Sequence, residues 1–159
     1  MDTKQGVLTS DEKNLFEAIY KGNATRVEKL LKKGVNPNVE TDGIFADTPI
    51  IFAAIYGKSL IANILYIYGA DIHCRDDIAL VHAAIHNNLE LVKFFLRHKA
   101  NIHNHNGLTL TETVTFGHYD MVKYLLTNGA NVHENNDAAL KRFSYKDNDN
   151  IKVLLQSYA

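Results

Sequence analysis

Short apolar runs alternate along this chain with polar breaks that carry a Gly or an Asn, and the alternation is regular. Segments 48–56, 78–86 and 108–116 are each followed by such a break and then by a second segment, 59–68, 89–98 and 119–128. The second segments place apolar residues at helical spacing, as in Val92, Phe95 and Leu96, or Val122, Leu125 and Leu126, and mostly end on a glycine suited to a left-handed C-cap. Each pair therefore predicts a helical hairpin. Asp47, Asp77 and Asp137 stand where a helix N-cap is wanted.

The hairpins repeat. Gly69-Ala-Asp-Ile-His73, Lys99-Ala-Asn-Ile-His103 and Gly129-Ala-Asn-Val-His133 recur every 30 residues, and Gly34-Val-Asn-Pro-Asn38 takes the same place 35 residues before His73. Five copies fill the chain as one domain over 1–159, at approximately 11–46, 47–76, 77–106, 107–136 and 137–159. One hairpin of this size cannot bury its own apolar face, so stability must come from stacking copies, with Leu80, Val92 and Phe95 expected between neighbours. The end copies suit an outer position. The first is rich in Lys, and the last carries Lys141 and Arg142 at inward positions, which predicts an array that is complete as it stands.

Composition narrows the function classes. Nearly half of the 159 residues are apolar, enough for a core, while a net charge of -1 argues against a surface built for nucleic-acid phosphates. The single cysteine, Cys74, cannot form an internal disulfide, and the first residues hold no apolar stretch of the secretory kind, so a cytoplasmic setting is expected. The apolar stretch from Thr48 to Ala70 has the length of a membrane span but is broken at Gly57-Lys58-Ser59 into two short helices, and no membrane partner is expected.

These residues resemble the ankyrin repeat. Thr48-Pro-Ile-Ile-Phe-Ala-Ala54 opens with its Thr-Pro signature, Gly117-His118 and Met121-Val122-Lys123-Tyr124-Leu125-Leu126 follow its second helix, and Gly69-Ala-Asp-Ile-His73 follows its finger loop. The resemblance covers almost the whole chain and implies an all-α solenoid of five stacked helix-turn-helix units with short finger loops. The usual ankyrin repeat has about 33 residues, so the fingers after His73, His103 and His133 are shortened and the first is lengthened. The signature His position is taken by Ile51, Val81, Thr111 and Lys141, so its usual hydrogen bonds are missing. The 30-residue form with an Ile-His finger is similar to arrays of amoebal giant viruses and intracellular bacteria, which would place the protein inside a host cell.

No catalytic or metal chemistry is expected. His73, His103 and His133 recur at one position, but helices of adjacent copies pack roughly 8–10 Å apart, too far for equivalent residues to share an ion. They are expected to hydrogen-bond locally within the fingers. His103-Asn104-His105 superficially matches a nuclease string without the strand and helix that would hold a metal there. No phosphate loop, zinc-spaced cysteine pair or nucleophile elbow occurs, so neither enzyme activity nor a cofactor is predicted.

What remains is recognition of another protein. In the ankyrin family the two residues before the turn glycine face a concave binding surface, and here those pairs are Tyr20-Lys21, Ile55-Tyr56, Ile85-His86, Thr115-Phe116 and Tyr145-Lys146. The expected partner-binding residues are Tyr20, Tyr56, His86, Phe116 and Tyr145, with Ile44 and Phe45 on the long first finger just after Asp42-Gly43, a turn signal. The function predicted is that of an adaptor or inhibitor module, monomeric, binding a protein or peptide. The alternative is a self-associating structural array, a homodimer among its forms, joined through the other face. There the outward second-helix positions are polar in most copies (Thr25 and Lys32, Glu90 and Arg97, Asp120 and Thr127), but in the second copy they hold Leu60 and Ile67.

Overall fold

A computed structural model describes residues 8–41, 47–142 and 149–159. Among them are ten helices and no strand: α1 (Ser10–Tyr20), α2 (Ala24–Lys32), α3 (Pro49–Ile55), α4 (Ser59–Ile67), α5 (Cys74–Ile85), α6 (Leu89–Arg97), α7 (Asn104–Thr115), α8 (Tyr119–Thr127), α9 (Glu134–Lys141) and α10 (Asp149–Gln156). The chain divides into two compact units, Met1–Ile72 and His73–Ala159. No helix among the described residues is long and apolar enough to cross a membrane.

In the first unit α1 pairs with α2 and α3 with α4, and the hairpins stack as α1 on α3 and α2 on α4. Local sequence explains the helix starts. Thr9 and Glu12 form a reciprocal capping box, Asn23 accepts from the Arg26 N–H, and α3 begins with Pro49 in its first turn. Leu15, Ile19, Val27, Ile50, Ile51, Ile61 and Leu65 fill the core between these helices. Asn38 ties the first finger to the second copy: its side-chain amide donates to the Gly69 carbonyl (2.9 Å) and its oxygen accepts the Asp71 N–H (2.7 Å).

In the second unit the first helices α5, α7 and α9 stack in order, and α6 and α8 pack against their own first helices. Leu80, Val92 and Phe95 are fully buried, in keeping with the expected register. The outward second-helix positions Thr25, Lys32, Glu90, Arg97, Asp120 and Thr127 are likewise exposed.

The short fingers have a backbone of their own. Arg75, Asp76 and Asp77, then His105, Asn106 and Gly107, then Asn135, Asn136 and Asp137, are three consecutive residues in the left-handed region. Left-handed residues normally occur singly, at about 1–2 kcal/mol each for side chains other than Gly, Asn or Asp. Asn and Asp tolerate the region best, and they supply six of these nine positions.

The expected N-caps need correcting. The N-cap of α3 is Thr48, not Asp47. Asp77 and Asp137 have φ of 59°, far from the extended backbone of an N-cap, and each is the third residue of a left-handed turn. Their carboxylates turn back to the finger histidines instead.

Candidate functional site

Polar side chains lock these fingers. Asp77 is buried, with one carboxylate oxygen 2.8 Å from His73 Nδ1 and the other accepting the Asn101 N–H at 2.7 Å. Asn104, also buried, donates to the Asp77 carbonyl (3.1 Å) and accepts from the Thr109 hydroxyl (2.6 Å). His105 takes its backbone N–H to Asp76 (2.9 Å) and its Nε2–H to the Arg75 carbonyl (3.1 Å). At the position of the missing signature histidine Ile51, Val81 and Thr111 are buried, whereas Lys141 in the last copy is exposed.

His73 and His133 bond within their own fingers, to Asp77 at 2.8 Å and Asp137 at 2.9 Å. His103 differs. Gly107 replaces the aspartate four residues on, and the carboxylate comes from the next copy, with Glu134 Oε1 at 2.5 Å from His103 Nδ1. Glu134 lies over Gly107 so closely that a Cβ there would meet Glu134 Cβ at 2.8 Å, and Glu134 Oε2 is buried without a hydrogen-bond partner among the described residues. The finger histidines are thus engaged by carboxylates. No group of three His, Cys, Asp or Glu among the described residues is placed to hold a metal ion.

The aromatic positions lie at the ends of the first helices. In the first unit Tyr20, the last residue of α1, is 58% exposed, and Tyr56, the C-cap of α3, is 40% exposed. Their rings meet edge to face with centroids 5.0 Å apart. Behind them Phe52 lies 4.6 Å from Tyr56 and 5.3 Å from Phe16, so four rings form a ladder from core to surface. Phe16 and Phe52 escaped the sequence reading, although each stands four residues before its tyrosine on the same helix face. Beside Tyr20, the Lys21 ammonium holds the Glu17 carboxyl below its usual range, first by hydrogen bonding and then by Coulomb attraction.

In the second unit Phe116, the C-cap of α7, is 50% exposed. Its ring stacks on His118, with centroids 6.2 Å apart and planes 13° from parallel. The His118 Nε2–H donates to the Ile85 carbonyl at 2.8 Å, so the ring beneath Phe116 is anchored to the preceding copy. His86, the C-cap of α5, is exposed. Arg142 pairs with Glu112 across α9 and α7, which puts a fixed ion pair on the same first helices. Ile44, Phe45 and Tyr145 lie outside the described residues.

Ankyrin repeats (3 copies) is the family description that matches this chain, over residues 15–103 and 58–136. The chain is also similar to the 2-5A-dependent ribonuclease of Mus musculus, 37% identical over 71 residues. That match covers 45% of this chain and 10% of the ribonuclease, so the chain spans a small part of that relative's length.

Proposed function

Since the chain belongs to the ankyrin-repeat family, whose repeats generally mediate protein–protein interaction, we propose that it is an adaptor or inhibitor module that grips a partner protein with the ends of its first helices. The observation that carries the reading is the Tyr20–Tyr56 pair. Two large aromatic side chains stand in solvent, stacked edge to face and braced from below by Phe52 and Phe16. Rigid aromatic groups give much contact area for little lost rotamer freedom, which is why Tyr dominates binding hot spots. Phe116 over the anchored His118 ring is the corresponding feature of the second unit, with His86 on the preceding first helix. Ile44 and Phe45 of the first finger and Tyr145 of the last copy belong to the proposed set on sequence grounds.

The reading is non-catalytic and cytoplasmic. The similarity to the ribonuclease extends over 71 residues, 10% of that protein, which is too little of it to carry its named activity to this chain. Site-specific photo-crosslinking tests the face. A photoreactive residue at Tyr56 or Phe116 in the native cell is expected to capture one recurrent protein, and the same residue at Glu90 or Asp120 to capture none. Equal capture from both sets of positions refutes the assignment.

A further inference from the structure

The exposed face of α4 has a composition unlike that of the other second helices. Leu60 is 65% and Ile67 69% exposed, and seven residues, two helical turns, separate them on one face. Between them on that face stand Asn63, exposed, and Ile64, half-buried. The sequence Ser-Leu-Ile-Ala-Asn-Ile-Leu-Tyr-Ile carries no charge, whereas α2 has Arg26, Glu28, Lys29 and Lys32, α6 has Glu90, Lys93 and Arg97, and α8 has Asp120 and Lys123.

We propose that this face of α4 is a self-complementary seam on which a second copy of the chain docks, α4 antiparallel to α4 about a two-fold axis. A two-fold axis demands a self-complementary surface. Any residue near the axis faces its own image, so a charge there repels itself, while a carboxamide donates and accepts and pairs with its image. The midpoint of the Leu60–Ile67 stripe falls between Asn63 and Ile64. Antiparallel pairing centred there sets Leu60 against Ile67 of the second copy and brings the two Asn63 amides together. A neutral stripe with one central amide fits this occupant. A lipid surface is disfavoured, because interfacial helices rim their apolar stripe with Lys and Arg, and α4 has neither. The seam is one nine-residue helix long, well short of the roughly 800 Å² per partner of stable complexes, so the dimer is weak, with a Kd on the order of 10⁻⁴ M.

Sedimentation equilibrium of the full chain, from about 10 μM to about 1 mM, brackets that affinity. The wild type is expected to pass from monomer to dimer, with little response to added salt. Leu60→Glu and Asn63→Asp should each raise the dissociation constant at least about tenfold, with circular dichroism and melting unchanged because both side chains lie in solvent. The Asn63→Asp loss should be partly recovered by salt, which screens the two facing carboxylates. Tyr56→Ala should dimerise as the wild type does, which separates this seam from the proposed partner surface. A wild type that stays monomeric throughout, a Leu60→Glu variant that associates normally, or a Tyr56→Ala variant that fails to associate would each overturn the proposal.

Discussion

An aspartate at position 107 would make this finger match those that end in Asp77 and Asp137, and the structure says that it will not fit there alone. Gly107 has φ of 75°, a backbone that Asp already adopts at the two equivalent positions, so conformation by itself forbids little. The obstacle is Glu134. A Cβ at 107 would sit 2.8 Å from Glu134 Cβ, an atom close to the backbone that cannot swing away, and the Glu134 carboxylate would be pushed off His103. Overpacking of this kind costs about 1–3 kcal/mol, and loss of a charge-assisted hydrogen bond adds about 1.5–3 kcal/mol. Gly107→Asp should therefore destabilise by about 3–5 kcal/mol in urea unfolding. The preceding finger shows the remedy, since Asn104 occupies the place of Glu134 and packs beside Asp77 by donating to its carbonyl. Glu134→Asn alone should cost about 1.5–3 kcal/mol for the same lost His103 contact, while the double change rebuilds the Asp77–Asn104 arrangement. It should lie within about 1 kcal/mol of the wild type, a favourable coupling of about 3 kcal/mol or more. Gly129→Ala is the control. With φ of 99° and nothing within 4 Å, it bears only the backbone term, about 1 kcal/mol. Single-variant effects that simply add in the double variant, to within about 0.5 kcal/mol, would refute the packing argument.

Other outcomes are expected from the same structure. Phe95→Ala empties a fully buried site and should cost about 3–5 kcal/mol, read as loss of cooperative unfolding at physiological temperature. The carboxyls of Glu17 and Glu28 are held below their usual range by Lys21 and Lys32, first by hydrogen bonding and then by Coulomb attraction. A depressed folded-state pKa adds stability above the unfolded value and loses it as pH falls through the folded one. Melting temperature should thus drop slightly on acidification below the ordinary glutamate range, and Glu17→Gln with Glu28→Gln should flatten that slope; an unchanged slope contradicts the assignment. His118→Ala removes the ring under Phe116 and its bond to the Ile85 carbonyl, and should lower the melting temperature and weaken partner binding together.

The repeat was legible because its signals are covalent neighbours. Gly-Ala-Asp-Ile-His at fixed spacing, with apolar residues at helical intervals, places every hairpin, and Leu80, Val92 and Phe95 are buried as that register requires. The fingers were not legible. A triple left-handed turn at Arg75-Asp76-Asp77 contains no glycine, so the usual marker of positive φ is missing, and its aspartate read as an N-cap. Apart from His73, the partners of that turn stand 24 to 30 residues away, as in Asn101 with Asp77 and His105 with Arg75, distances across which local pattern is silent. The surface was half legible. The residues before each turn pointed to Tyr20, Tyr56 and Phe116, but Tyr20 ends its helix whereas Tyr56 and Phe116 are C-caps one position later. Tyr20 and Tyr56 meet because both rings lean on the Phe16–Phe52 pair, a contact set by packing between helices.

The most direct test of the recognition surface is the affinity of the protein that co-purifies with this chain from its native cell, measured by isothermal titration against wild type, Tyr56→Ala, Phe116→Ala, Glu90→Ala and Asp120→Ala. Truncation of either ring should weaken binding by about 1–3 kcal/mol, roughly 5- to 150-fold, while lowering the melting temperature far less than Phe95→Ala does, because Tyr56 is 40% and Phe116 50% exposed whereas Phe95 is fully buried. The Glu90 and Asp120 variants should bind as the wild type does. Normal binding by Tyr56→Ala and Phe116→Ala, or losses matched by the Glu90 and Asp120 variants, would contradict the account.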